Sequence, residues 1–177
     1  MTSPDPSRTA HALVLVGPMG AGKTSVGKRV ARAQGLPFVD TDKMIAAEHG
    51  PIPEIFRTHG EEHFRTIERD TVQQALAHGG VVALGGGAVL DAGTRARLQS
   101  HRVVLLTVSP RVVRERIGGG SRPLLDADDP VDRWVRIAAE RGPLYDEVAD
   151  VTFDTSHGPL QGIVDAIVQW AKETETT

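Results

Sequence analysis

Cysteine is absent from the sequence, which excludes disulfides, thiolate metal sites and cysteine nucleophiles and agrees with a reducing compartment. Aromatic residues make up only 4% against 40% hydrophobic residues in all. A core must therefore be filled by Val, Leu, Ile and Ala rather than by stacked rings, which suits an aliphatic parallel sheet. Long apolar runs are missing too: the first, Ala12 to Val16, is too short for a secretion-signal core or a membrane span. Residues 1–10 ahead of it are rich in Pro, Ser and Thr and read as a flexible tail. The sequence thus predicts a soluble cytoplasmic protein with no membrane partner. No block of consecutive basic residues occurs and the formal net charge is -3, so a nucleic-acid partner has no electrostatic footprint. Lysine is scarce, 4 residues against 16 Arg. Arginine is the side chain best shaped to fork onto carboxylate and phosphate, so the positions of the arginines carry the information.

The length, 177 residues, fits one domain, over about 11–173. Short β-rich runs at Leu13–Val16, Pro37–Val39, Val81–Leu84, Val103–Val108 and Val151–Phe153 are separated by stretches of helical period. That alternation is the signature of an α/β fold with a five-stranded parallel sheet flanked by helices. After Lys23, residues Val26, Val30 and Ala33 fall on one helical face, with Gly35 as the stop. Glu61 to His78 gives a longer helix with Phe64, Ile67, Thr71 and Ala75 on one stripe. A further helix opens at Asp129–Pro130, buries Val131, Trp134, Val135 and Ala138, and is expected to end at Gly142–Pro143. Residues 118–128 have no period and three adjacent glycines, and read as a mobile loop.

Gly17, Pro18, Met19, Gly20, Ala21, Gly22, Lys23 and Thr24 spell GPMGAGKT, which satisfies G-x-x-x-x-G-K-[ST] between an apolar strand and a helix. In such a loop the glycines let backbone N–H groups curl toward phosphate oxygens, and the helix N-terminus adds a favourable dipole. Lys23 reaches the β- and γ-phosphates of a nucleotide, and Thr24 binds Mg²⁺ through its hydroxyl. A glycine-rich turn with a solvated lysine is the alternative, and the flanking pattern outweighs it. A switch GTPase would share the loop, but there is no Asn-Lys-x-Asp segment to read guanine, which favours ATP. The strand before Gly85 ends without Asp, so the usual second metal-holding carboxylate is missing there.

Four further segments, FVDTD (Phe38–Asp42), EEHFRTIE (Glu61–Glu68), LGGGAV (Leu84–Val89) and SRPLL (Ser121–Leu125), followed by ERGPLY (Glu140–Tyr145), fall in the order and spacing of shikimate kinases. Over nearly its whole length the sequence resembles that family. The resemblance implies a P-loop NTPase fold with a substrate-binding subdomain and a mobile lid at about 118–128. It also implies transfer of the γ-phosphoryl group of ATP to the 3-hydroxyl of shikimate, on the chorismate route to aromatic amino acids, by a monomer.

Carried over residue by residue, the resemblance gives Asp40 the support of the Mg²⁺ shell through water. It makes Asp42 a ligand of the substrate hydroxyls and candidate general base. The two would project to the same side if the backbone stayed extended, and helix capping is the competing duty of an Asp there. Arg65 has a local partner in Glu61, four residues earlier on a helix, while the family uses this arginine for the shikimate carboxylate. Arg141 would ordinarily be explained by a helix C-terminus; the resemblance makes it the second carboxylate clamp. Gly86, the middle glycine of Gly85–Gly87, offers its N–H to the substrate at the carboxyl edge of the sheet. A loop that merely needs positive φ explains one glycine better than three. Arg122 in the lid is the catalytic arginine, also on the nucleotide, because phosphoryl transfer depends on placed positive charge. Arg116 matches an adenine-side arginine, with a solvated charged face shared with Arg111 and Arg114 an equal reading. FDTSHGP (Phe153–Pro159) stands where relatives contact adenine, without the Asn often seen there. His59 and His63 read as a solvated helix face. Gluconate kinase is the rival enzyme, and a nucleotide-binding regulatory protein the non-enzymatic one.

Overall fold

The computed structural model describes residues 11–116 and 130–175. Five short strands, β1 (Leu13–Val16), β2 (Phe38–Asp40), β3 (Val81–Ala83), β4 (Arg102–Thr107) and β5 (Val151–Asp154), form one sheet of order β2-β3-β1-β4-β5. All its pairings are parallel. The helices between them are α1 (Lys23–Gln34), α2 (Thr41–His49), α3 (Ile52–His78), α4 (Ala92–Leu98), α5 (Pro110–Arg116), α6 (Pro130–Val148) and α7 (Leu160–Glu175), with a 3₁₀ turn at Ala88–Leu90. Among the described residues no helix is long and apolar enough to cross a membrane.

The inner strands β1 and β3, and Val103–Leu106 of β4, are apolar and buried because both faces of the sheet are covered there. Alternation sorts their side chains: Leu13, Leu15, Val81, Val104 and Leu106 pack with Val26 and Val30 of α1, Trp134 of α6 and Ile167 of α7. Val14, Val16, Val82, Val103 and Leu105 pack on the other side with Val72 and Leu76 of α3, Leu98 of α4 and Tyr145 of α6. A third, smaller cluster of Ile45, Ile55 and Phe64 joins α2 to α3 away from the sheet.

Three helix expectations change. The long helix includes Ile52–His78, but Gly60 breaks it with φ 82° and ψ 172°, so regular helix restarts at Glu61, the residue the periodicity picks. In α1 the stripe is Val26, Gly27, Val30 and Ala31, and Ala33 is exposed. The helix carrying Arg141 does not stop at Gly142–Pro143; it runs through Pro143 to Val148. Proline forfeits one helical hydrogen bond there, and burial of Tyr145 and Val148 beyond it holds the continuation. Val135 is exposed, whereas Val131 and Trp134 are buried as expected. Residues 1–10, the segment 118–128 and Arg122 lie outside the described residues.

Candidate active site

The turn from β1 to α1 is the glycine loop. Gly17 has φ 144° and sits so close to β4 that a Cβ would lie 2.1 Å from the Leu106 carbonyl oxygen; only glycine fits both conditions. No side chain caps α1, and its first turn holds no acidic residue, so its leading N–H groups and dipole face the loop. Lys23 Nζ donates to the carbonyls of Gly17 (2.7 Å) and Pro18 (3.0 Å), which sets the ammonium across the loop's entrance.

Three residues brace the loop. Trp134 of α6 donates its indole N–H to the Met19 carbonyl at 2.8 Å. Arg116 donates to the Gly20 carbonyl at 2.8 Å and to the Thr155 carbonyl at 2.8 Å, while Thr155 donates to the Ala21 carbonyl at 2.8 Å. Arg116 is exposed, as are Arg111 and Arg114, yet its hydrogen bonds tie the phosphate loop to the segment after β5.

Asp40 ends β2 and caps α2, accepting from the Lys43 N–H at 3.2 Å with one oxygen and from the Thr24 hydroxyl at 2.5 Å with the other. The cap and the link to Thr24 coexist. The backbone does not stay extended, because α2 begins at Thr41 and puts Asp42 in its first turn. Even so, Asp40 and Asp42 line one cavity of about 180 Å³ with Met19, Lys23, Thr24 and Gly86. Thr41 between them is fully buried; its hydroxyl donates to the Ala83 carbonyl (3.4 Å) and accepts from the Gly85 N–H (3.1 Å), locking α2 to the loop after β3.

Close approach accounts for Gly85 and Gly87 of that loop, while a Cβ on Gly86 would meet only ordinary contacts. None of the three has positive φ. A Cβ on Gly85 would stand 2.6 Å from Asp42 Oδ1, on Gly86 3.5 Å from the Met19 nitrogen and 3.6 Å from Arg141 Nη1, and on Gly87 2.3 Å from Arg65 Nη1. A carboxylate, the phosphate loop and two guanidinium groups thus converge on three consecutive residues. Arg141 is buried in the middle of α6, so the helix-terminus explanation of its charge does not apply.

Arg65 donates to Glu68 Oε1 at 2.7 Å and to Glu61 Oε1 at 3.2 Å, and its Nε is buried without a hydrogen-bond partner. It lines a neighbouring groove of about 520 Å³ between α3 and the 88–94 segment. Burial pushes the Glu68 carboxyl above its ordinary pKa; the Arg65 charge and hydrogen bond oppose the rise and the Asp42 charge adds to it. Tyr145 is pushed up to about 12, again by burial, against the Arg141 charge and hydrogen bond. His59 and His63 are both exposed, with ring centroids 4.7 Å apart.

Sequence reasoning brings Lys23, Thr24, Asp40, Asp42 and Gly86 to one cavity and sets Arg65 and Arg141 against the same glycine loop. It misses Thr41, Glu68, Trp134, Tyr145 and Thr155. Glu68 stands at i+3 from Arg65, a spacing that flags a partner. Buried indole N–H and phenol groups require partners, which is the signal that Trp134 and the chain's single tyrosine offer.

A P-loop beneath a parallel sheet, facing a second cavity edge built of cations, a carboxylate and bare backbone, defines a nucleotide-dependent small-molecule kinase. The family profile described as shikimate kinase matches residues 19–172. A curated shikimate kinase of Mycobacterium avium is 42% identical over 169 residues, 94% of this chain and 96% of that protein. The solved shikimate kinase of Acinetobacter baumannii in complex with shikimate superposes with a TM-score of 0.89 at 35% identity, covering 96% of this chain and 97% of that one. A gluconokinase from Sinorhizobium meliloti, at 23% identity and TM-score 0.62, shares the fold alone. The chain belongs to the shikimate kinase family.

Proposed function

We propose that the chain transfers the γ-phosphoryl group of ATP to the 3-hydroxyl of shikimate, giving shikimate 3-phosphate and ADP, with the roles that follow. The observation that carries the assignment of roles is the convergence of Asp42, Arg141 and Arg65 on Gly85, Gly86 and Gly87, with Gly86 beside Met19 of the phosphate loop. An acceptor seated on that loop has a base, two carboxylate partners and the nucleotide's terminal phosphate within one molecular length.

The 17–24 loop and Lys23 hold the phosphates. Arg65 and Arg141 take the acceptor's carboxylate, the buried Nε of Arg65 being a donor suited to it. Gly86 offers its N–H, and Asp42 accepts the proton of the attacking hydroxyl as the new O–P bond forms and the bond to the β-phosphate oxygen breaks. The family's chemistry entails a divalent metal with ATP, and the hydroxyl of Thr24 with the carboxylate of Asp40 is an all-oxygen pair suited to a hard cation. We assign Mg²⁺ there, Thr24 directly and Asp40 through water; when bound it offsets charge on the phosphates. The reading adds Arg122 as the catalytic cation and Arg116 on the nucleotide side. It keeps a single domain over 11–173 with a substrate subdomain and a lid at about 118–128, acting as a monomer in the cytoplasm.

The carboxylate assignment is tested with the methyl ester of shikimate. Loss of the charge should lower kcat/KM roughly 30-fold or more, on the order of 2 kcal/mol and upward for halving a desolvated charge pair. An ester used as well as the acid would refute it.

A further inference from the structure

Three consecutive glycines give the 85–87 loop more backbone freedom than a binding surface tolerates, so something outside the loop has to fix it. Its first peptide is held by the Thr41 hydroxyl on the Gly85 N–H, and its ends by the bonds from Ala88 N–H to the Gly85 carbonyl and from Leu90 N–H to the Gly87 carbonyl. The middle carbonyl, that of Gly86, is held by Tyr145, whose hydroxyl donates to it at 2.6 Å. Tyr145 lies one turn beyond Arg141 on α6. Its ring is buried in the core with side chains of α3 and α4, and the Arg141 guanidinium lies near enough to act on the phenol electrostatically.

We propose that Tyr145 is a positioning residue for the acceptor: its hydroxyl fixes the Gly86 peptide, beside which the Arg141 guanidinium stands. The inference rests on the reading that Gly86 and Arg141 hold shikimate. The phenol can do this because its hydroxyl is a donor, and its hydrogen goes to the Gly86 carbonyl. Peptide planarity then directs the Gly87 N–H away from the phenol, so the loop's orientation is set from the core side. Among the described residues the Tyr145 hydroxyl bonds to Gly86 and not to the phosphate loop, so its influence belongs to the acceptor and not to ATP. The run of α6 through Gly142–Pro143 has a purpose in this account: the helix has to continue one more turn to bring the hydroxyl under the loop.

The test is Tyr145→Phe, which keeps the ring in the core and removes only the hydroxyl. KM for shikimate should rise so that kcat/KM for shikimate falls about tenfold, the scale of one lost hydrogen bond with a buried carbonyl left unpaired. KM for ATP should stay within about twofold of the native value. Arg141→Ala is measured beside it, and the double variant should lose less than the product of the single losses, since the two side chains act together. A lowered Tm with KM for shikimate unchanged would show a purely structural phenol and overturn the proposal. Equal effects on ATP and shikimate would overturn it as well. If Arg141→Ala itself leaves KM for shikimate unchanged, the acceptor-site reading fails and takes the proposal with it. A large effect of Arg141→Ala with none of Tyr145→Phe rejects the proposal alone.

Discussion

Lys23 and Arg65 have different jobs, and their removal should separate them. Lys23→Met should abolish turnover with the fold intact, because the ammonium that spans the loop (2.7 Å to the Gly17 carbonyl) has no substitute there; near-normal steady-state rates would refute its phosphate role. Arg65→Ala should weaken use of shikimate by about 2–5 kcal/mol while ATP affinity hardly changes. It should also lower stability, since Glu68, 4% exposed, is left buried without its cation; a denaturant titration would show it. Tyr145 gives a pH signature. Its folded-state pKa of about 12 lies above the ordinary 10.0, so its contribution to stability is intact below pH 10 and is lost as pH rises through about 12. Alkaline unfolding of Tyr145→Phe should therefore show a shallower fall over that window than the native chain; identical curves would show that the phenol is not protected in the fold. At this scale legibility depended on neighbours far away in sequence. Asp40, Asp42 and Lys23 could be placed from motif and resemblance, but the partners of Trp134 and Tyr145, Met19 and Gly86, lie far along the chain, and no spacing rule reaches them.

Among the elements, strands were read within a residue or two because each carries a short apolar stretch bounded by glycine, proline or charge. Helix ends behaved in opposite ways at two glycines. Gly60 takes a left-handed φ of 82° and breaks α3, so that regular helix restarts at Glu61, as read from the sequence. Gly142 stays helical although Pro143 follows it, because buried side chains downstream outweigh one missing hydrogen bond. Sequence punctuation tells where a helix can end, and tertiary burial decides whether it does. The element joint most exposed to substitution is the β1–α1 turn. Gly17→Ala should cost about 2 kcal/mol or more in unfolding free energy, from the strained φ and from the collision with the Leu106 carbonyl, and should raise KM for ATP. Wild-type stability in a chemical melt would contradict the geometry.

For the molecule as a whole, the sheet order β2-β3-β1-β4-β5 puts β1 at the centre. The phosphate loop after it is flanked by the ends of β3 and β4, where open parallel sheets receive ligands. Architecture of this kind follows from alternation and the P-loop, and it was legible. The acceptor side was legible only through family resemblance, because Arg65, Arg141 and Asp42 come from three separate elements whose meeting place is a consequence of packing. A P-loop alone licenses nucleotide binding by many kinds of protein; on the proposed roles, the pair of arginines against one glycine loop narrows the acceptor to a small carboxylate. The most direct test of that claim follows ADP release from ATP and Mg²⁺ with shikimate, with gluconate and with no acceptor in parallel. Rapid release with shikimate and only background with the other two is the result expected, and turnover confined to gluconate would contradict the account.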